Sequence, residues 1–254
     1  GDTTKPGKMT NNTAIIIEPD AMTLARKGAE LFAQNARESA HLRGRFVVAI
    51  SGGSTPRLMH RLLCREPHLS KIPWSKTHIF WVDERCVPQD HEVSNYGAAR
   101  DDFLSGVSIP EEQVHPMPVH VSPEKGALAY QGELVRFFQP GNMKIPVLDL
   151  IFLGLGTDGH TASLFPGQSA LADEEKLIVS VRGGKPDVSR MTMTFPLLNS
   201  GREIVFMVSG KNKARVLKTV FDEPEARLPV QKIQLLNGKL TWLLDRDAAL
   251  LLTL

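Results

Sequence analysis

The sequence predicts a single α/β domain with a mostly parallel sheet that is covered by helices on both faces. Short apolar, β-branched runs alternate with longer helical patterns along the 254 residues, as in sheets whose strands are joined by helical crossovers. Several runs are apolar on nearly every residue, which is typical of strands buried on both faces. No internal repeat or low-complexity linker interrupts the pattern. We therefore expect one domain over residues 13–254.

The elements follow from these runs in chain order. The predicted strands are Thr13–Ile17, Arg45–Ser51, His78–Val82, Leu148–Leu153, Leu177–Val181, Glu203–Val208 and Gly238–Leu243. The predicted helices between them are Ala21–His41, Pro56–Cys64, Ser94–Phe103, Pro123–Phe138 and Lys211–Phe221. Pro110–Ser122 is rich in proline and histidine and is predicted to be a surface connection. Residues 1–12 are polar and rich in turn-forming residues, so we expect a disordered lead or an expression scar there.

Composition excludes several classes of protein. The chain is 42% hydrophobic and has 30 basic against 28 acidic residues, so it lacks the excess positive charge that nucleic-acid or membrane binding needs. Cys64 and Cys86 have no CxxC spacing, which argues against a disulfide framework or a zinc site. No apolar run is long enough to span a bilayer. We expect a cytoplasmic protein, and a monomer because no apolar surface stripe stands out.

In open α/β sheets, ligands bind beyond the carboxyl ends of the strands, so the loops that follow the strands are the places to look for chemistry. The first such loop reads SGGSTP. Its glycines allow backbone N–H groups to approach an anion, its hydroxyls add donors, and a new helix begins there. The alternative is a plain turn with Thr55 as the helix N-cap. The predicted phosphate-binding residues are Ser51, Gly52, Gly53, Ser54 and Thr55.

The second loop follows the apolar strand HIFWV and reads DER. Charged groups at this point are costly to bury, so we expect Asp83 and Arg85 at the mouth of a polar cleft. Arg85 has the fork geometry that grips a phosphate or carboxylate, although a solvated strand end with a local ion pair fits the same residues. Asn95 and Arg100 follow on a helical pattern that returns polar groups to this mouth.

The third loop, GLGTDGHTASLFPG, contains the GxGxxG spacing of dinucleotide-binding proteins. That fingerprint normally opens a helix and is followed by an acidic residue after the next strand, whereas FPG stops any helix here. Asp158 and His160 suit catalysis better, because a carboxylate can fix the tautomer of a histidine and raise its basicity. A structural histidine bonded to backbone is the alternative. Among the eight histidines, His160 is the candidate base.

Two basic positions complete the predicted site. Arg190 lies in DVSRMTMTFPLLN, which leads into a helical or extended segment. Lys213 lies in SGKNKARVL, after the strand EIVFMV and at the start of a helix. A lysine at a helix N-terminus is slightly unfavourable by the dipole argument, so binding an anion would give it a purpose. Surface solvation is the alternative, and Lys211 competes for the same role.

Together these motifs resemble the 6-phosphogluconolactonase family. The resemblance rests on SGGSTP, WVDERCVPQDHEVSNYGAAR, LIFLGLGTDGHTASLFPG, SRMTMTFPLLN and SGKNKA, which occur in the family's order over residues 45–215. It implies a modified Rossmann-like α/β domain, no cofactor or metal, and hydrolysis of the δ-lactone of 6-phosphogluconate. The family's catalytic histidine corresponds to His160, its phosphate loop to Ser51–Thr55, and its basic residues to Arg85, Arg190 and Lys213.

The related glucosamine-6-phosphate deaminases are the main alternative. Their corresponding segment has a glutamate after the histidine, whereas this chain has no acid between His160 and Gly167. A lactone needs only activated water and a protonated leaving oxygen, so the missing acid favours a lactonase. A non-catalytic sugar-phosphate sensor is a further alternative, and such a sensor would normally carry a DNA-binding helix-turn-helix.

Overall fold

The computed structural model describes residues 12–142 and 144–254. Its strands are β1 (Thr13–Glu18), β2 (Phe46–Ile50), β3 (Thr77–Trp81), β4 (Asp83–Arg85), β5 (Val114–His115), β6 (Leu150–Leu153), β7 (Ile178–Gly183), β8 (Val188–Met193), β9 (Glu203–Val208) and β10 (Lys239–Asp245). Its helices are α1 (Ala21–Arg43), α2 (Ser54–Leu63), α3 (His68–Lys71), α4 (Asn95–Asp102), α5 (Pro123–Phe138), α6 (Phe195–Asn199) and α7 (Ala214–Asp222). The predicted lead lies outside the described residues except for Asn12, whose carbonyl accepts a hydrogen bond from Leu240 N.

Seven strands form one sheet in the order β1-β10-β9-β6-β2-β3-β5. Every neighbouring pair is parallel, so the predicted α/β class with a mostly parallel sheet is confirmed. The central strands β2 (FVVAI) and β6 (LIFL) are buried at every residue, because parallel strands have helices packed over both faces. These strands carry the centre of one hydrophobic core.

A second, antiparallel sheet of three strands has the order β4-β8-β7. The predicted strand Leu177–Val181 belongs here as β7, and not to the parallel sheet. The segment DVSRMTM, for which helical and extended forms were both open, is strand β8. Pro110–Ser122 is also more than a surface connection, because it contains β5, which pairs with β3 in parallel.

Val82 joins the two sheets. Its N–H donates to Ile50 O (3.0 Å) in the parallel sheet, and its carbonyl accepts from Met193 N (2.8 Å) in the small sheet. The chain therefore leaves β3 and enters β4 within one residue. This step carries Asp83 and Arg85 from the carboxyl edge of the parallel sheet into the small sheet.

The helix after the glycine loop begins at Ser54, two residues earlier than predicted. Its N-cap is Gly53, which has a φ of 104° and provides no side-chain cap. Thr55 is therefore not the N-cap, and that part of the alternative for the loop is wrong. Because no side chain caps this first turn, its backbone N–H groups can donate hydrogen bonds to an anion. None of the described helices is both long and apolar enough to cross a membrane.

Candidate active site

A cavity of about 380 Å³ opens at the carboxyl ends of β2, β6 and β9. The structure brings the predicted site residues together there, with the exception of Asp158, which does not line the cavity but contacts a residue that does. The predicted residues that line it are Ser51, Gly52, Gly53, Ser54, Thr55, Asp83, Arg85, Asn95, His160, Arg190 and Lys213. Arg100 does not line the cavity; its side chain pairs with Asp101.

The glycine loop packs against α4 through Asn95. A β-carbon on Gly52 would collide with the side-chain amide of Asn95, so glycine is required for this approach. The Ser51 hydroxyl donates to Phe152 O (2.6 Å) and fastens the loop to β6. That proton is committed to the backbone, so the expectation that the Ser51 hydroxyl donates to a bound anion is corrected. The Thr55 hydroxyl lies 2.8 Å from the Ser209 hydroxyl.

His160 and Asp158 form a close pair beside the cavity. His160 Nδ1 lies 2.6 Å from Asp158 Oδ1, and the same oxygen accepts from the backbone N–H of His160 at 3.0 Å. Partial burial raises the pKa of the Asp158 carboxyl, but the hydrogen bonds from His160 outweigh burial and hold that pKa below its ordinary value. An ionised Asp158 favours the tautomer with the proton on Nδ1, which leaves Nε2 with a free lone pair.

The GxGxxG spacing serves this histidine. A β-carbon on Gly156 would collide with the His160 ring, and one on Gly159, where φ is 85°, would press on the Leu228 side chain. No helix follows the motif; the chain forms a short bridge between Thr161 and Leu164. Gly156 therefore leaves room for the imidazole, and Gly159 leaves room for the loop that carries Leu228. The helix whose N-terminus would bind a dinucleotide pyrophosphate does not follow this motif.

Arg85 and Arg190 occupy directly opposed positions on the antiparallel strands β4 and β8. Arg85 Nη1 donates to Val93 O (2.9 Å) and Asn95 Oδ1 (3.2 Å). Arg190 donates from Nε to Gly183 O (2.8 Å) and from Nη2 to Pro186 O (2.7 Å). Burial, followed by the positive charge of Arg85, lowers the pKa of Arg190. Two guanidinium groups on opposed positions beside one cavity can bind an anion together.

Phe165 connects the histidine to these cations. Its ring centroid lies 4.8 Å from that of His160, and the Arg190 guanidinium carbon lies 5.5 Å from the same centroid. One buried aromatic side chain therefore packs against the imidazole of His160 and against the guanidinium group of Arg190. The rigid ring sets the spacing between the two groups.

Lys213, and not Lys211, faces the cavity. Its ammonium donates to Leu155 O at 2.5 Å, within the loop that carries His160. Burial lowers the pKa of Lys213, and the charge of Asp158 opposes that effect. Asn212 also lines the cavity. The sequence offered no signal for Asn212, because an asparagine in a polar turn is ordinary.

Asp83 is buried at the back of the cavity. Its Oδ2 accepts from the Ser163 hydroxyl (2.7 Å), and its backbone carbonyl accepts from Asn95 Nδ2 (3.1 Å). The carboxylate is thus tied to the histidine loop and the backbone is tied to α4. Among the described residues no cluster of three or more His, Cys, Asp or Glu side chains is placed to hold a metal ion.

Comparisons with known proteins agree with one another. The family described as glucosamine-6-phosphate isomerases/6-phosphogluconolactonase matches residues 19–242. The chain is 45% identical to a 6-phosphogluconolactonase from Synechocystis over 81% of this chain and 84% of that protein. It is 40% identical to the human 6-phosphogluconolactonase over 89% of this chain and 88% of that protein.

A solved structure gives the same result. The 6-phosphogluconolactonase from Trypanosoma cruzi superimposes with a TM-score of 0.86 at 29% identity, covering 97% of this chain and 99% of that one. The family match extends from α1 to β10 and includes every residue placed at the cavity. The chain therefore belongs to the glucosamine-6-phosphate isomerase/6-phosphogluconolactonase family.

Proposed function

We propose that this chain is an enzyme that hydrolyses 6-phospho-D-glucono-1,5-lactone to 6-phospho-D-gluconate. One observation carries the proposal: His160, which is hydrogen-bonded to Asp158, lines the same cavity as Arg85, Arg190 and Lys213. A general base can activate water for attack on an electrophilic carbonyl, and three cationic side chains can bind a phosphate group. The names of the relatives give the same substrate.

His160 acts as the general base. With the Nδ1 proton donated to Asp158, Nε2 takes a proton from water as the water oxygen attacks lactone carbon C1. The tetrahedral intermediate then collapses, the bond from C1 to the ring oxygen breaks, and Nε2 returns the proton to that oxygen. The acid formed ionises and releases one proton to solvent. A positioned base of this kind contributes roughly 10²–10⁴-fold to the rate.

The phosphate holds the ring in register for this attack. Arg85, Arg190 and the uncapped first turn of α2 supply cations and N–H groups, and their binding energy orients a carbonyl several bonds away. The cationic groups of the cavity and its loop N–H groups supply donors for the oxyanion. Each step uses side chains, backbone N–H groups and water.

Deamination of glucosamine 6-phosphate is the competing reaction in this family. The segment from Thr161 to Pro166 holds no acidic residue, so this loop lacks the glutamate that follows the histidine in the deaminases. Ammonia release from glucosamine 6-phosphate separates the two activities. We expect none above background.

The deciding experiment measures proton release from freshly generated 6-phosphogluconolactone, with spontaneous hydrolysis subtracted. We expect fast release by the unaltered chain and a fall to background in His160→Ala. Equal rates above background in both proteins would keep the lactonase and place the base elsewhere. No release above background in either would reject the reaction and favour a deaminase or a sugar-phosphate sensor, which the release of ammonia tells apart.

We also propose a monomer in a reducing compartment such as the cytosol. Cys64 and Cys86 are both free thiols, as expected where thiols stay reduced. Light scattering after size-exclusion chromatography tests the oligomeric state. A mass of about twice 28.0 kDa would contradict the monomer.

A further inference from the structure

The middle residue of the DER loop, Glu84, is buried behind the cavity and has three backbone partners. Its Oε1 accepts from Asn95 N and from Arg85 N, both at 2.8 Å, and its Oε2 accepts from Tyr96 N at 2.9 Å. Only 2% of its surface is exposed. Glu84 therefore binds its own strand and the first turn of α4 at the same time.

Two of the residues that Glu84 holds, Arg85 and Asn95, line the cavity. Asn95 packs over Gly52 and accepts from Arg85 Nη1 at 3.2 Å, and Asn95 Nδ2 donates to Asp83 O. A closed ring of contacts thus runs from Glu84 through Asn95 and Arg85 back to Glu84. The first turn of α4 is also capped by the Ser94 hydroxyl, which accepts from Gly97 N at 3.0 Å, so the helix itself does not depend on Glu84 alone.

We propose that Glu84 is a positioning residue for the phosphate end of the substrate: its carboxylate fixes Arg85 and Asn95 against the glycine loop. Glu84 does not line the cavity and acts only through these two neighbours. The identity of the ligand rests on the proposed function, whereas the contacts that hold Arg85 and Asn95 do not.

The charge on Glu84 matters for this role. All three partners are N–H donors, and a protonated carboxyl offers them one oxygen fewer as a full acceptor. Burial raises the pKa of Glu84 to about 7, against the three N–H bonds that lower it. The charged or titratable groups around it are Asp83, Cys86, Tyr130 and Arg190. Positioning is therefore strongest above pH 7 and weakens as the pH falls through that value.

The test compares Glu84→Gln with the unaltered chain. The first measurement is the Kd of 6-phosphogluconate by calorimetry between pH 6 and 8.5, and the second is kcat and KM for the lactone. At pH 8 we expect Kd and KM to rise by roughly tenfold or more, because three bonds to a charged acceptor are disturbed. We expect kcat to change by less than about threefold, since His160 and its partner are untouched. Part of the fall in affinity below pH 7 comes from protonation of the ligand's own phosphate group. The remaining part, which comes from Glu84, should be absent in the variant.

Glu203→Gln is the matched control. Glu203 is partly buried, and burial raises its pKa, but it lies at the start of β9, at the opposite edge of the sheet. Its substitution should leave Kd, KM and their pH dependence unchanged. Glu84→Asp retains the charge on a shorter side chain, and we expect it to bind more weakly than the unaltered chain but to keep the pH dependence.

The outcomes separate two failures. Unchanged Kd and KM in folded Glu84→Gln would overturn the positioning role, as would a loss confined to kcat. If Glu84→Gln does not fold, the same Kd for Glu84→Asp as for the Glu203→Gln control would overturn it. Binding of 6-phosphogluconate without any lactone turnover would contradict the proposed reaction alone and leave the test of Glu84 intact.

Discussion

The imidazole of His160 lies against the α-carbon of Gly156, in the space that a β-carbon would fill. Gly154, two residues earlier in the same loop, has open space at the corresponding point. These two glycines of the motif therefore differ in what occupies the space beside their α-carbons. One admits the candidate base, and the other has no neighbour within contact distance.

This difference predicts the outcome of two alanine substitutions. Gly156→Ala should displace the His160 ring and lower kcat for the lactone by roughly 10²-fold or more, the scale of losing a positioned base. Gly154→Ala should retain activity within about threefold. Initial rates of proton release provide the measurement, with thermal unfolding to check that both variants fold. If kcat falls by a similar factor in both variants, the contact between Gly156 and His160 is not the cause of the loss.

Asp158→Asn should lower kcat and leave KM nearly unchanged. The amide can present its NH₂ group to His160 Nδ1 and so favour the wrong tautomer, while the phosphate contacts remain. We expect a loss of roughly 10–10³-fold, less than for a fully buried triad carboxylate, because the Asp158 side chain is 51% exposed.

The pH dependence provides a second check on Asp158. Because its pKa lies below the ordinary 3.8, the unaltered chain keeps this carboxylate ionised at every pH above that value. From pH 8 to 9, above the ordinary titration range of histidine, the ratio of unaltered to variant kcat should therefore stay constant. A ratio that collapses within this range would mean that Asp158 is not the partner that matters.

Arg190→Gln should discriminate between phosphorylated and plain lactones. Losing a charge-assisted contact to phosphate costs roughly 1.5–3 kcal/mol, or about 10–150-fold in kcat/KM for 6-phosphogluconolactone. The unphosphorylated 1,5-gluconolactone makes no such contact, so its slow hydrolysis should change little. Equal losses on both substrates would place Arg190 at the carbonyl and not at the phosphate.

Asp102→Asn should lower the free energy of unfolding at neutral pH. Asp102 is buried and accepts from Arg57 at 2.8 and 3.1 Å and from Arg61 at 3.2 Å. Burial raises the pKa of Asp102, but the hydrogen bonds and charges of the two arginines outweigh burial and lower it below 3.8. Because Arg57 is 39% exposed, we expect a loss of only about 1–3 kcal/mol.

The sign of this effect with pH follows from the lowered pKa. The stabilisation is present above 3.8 and is lost as the pH falls through the lower pKa of the folded protein. Urea unfolding should therefore show a constant difference between the unaltered chain and Asp102→Asn from pH 7 down to about 4, the ordinary range of a carboxyl. The difference should shrink in stronger acid, and a difference that grows there would contradict the ion pair.

The sequence predicted the parallel sheet because buried strands have a strong local signature. It could not predict that Ile178–Gly183 would pair antiparallel in a separate sheet, since apolar residues record burial and not the direction of the partner strand. β5 was missed because Val114–His115 is two residues long and lies in a proline-rich segment. Pairing with β3 gives it its structure, and that is a tertiary effect.

The cavity was predicted more completely than the contacts inside it. Loops after parallel strands converge on one edge, so Arg85, His160 and Lys213 were expected near one another. The Ser51 hydroxyl turns back to Phe152 O, which depends on a neighbouring strand 101 residues away. Asn212 and the partners of Glu84 depend on loop conformations that residue spacing does not encode.

The pairing of Arg85 with Arg190 across two strands has a consequence for stability. Like charges in directly opposed positions work against the sheet that carries them, and a dianion bound between them would turn that repulsion into attraction. Folding and ligand binding are then thermodynamically linked, with a gain of about 2.7 kcal/mol when the ligand is at 100 times its Kd. The melting temperature should rise with the concentration of 6-phosphogluconate and stay unchanged with gluconate. A thermal-shift titration would thus report occupancy of the site without any turnover.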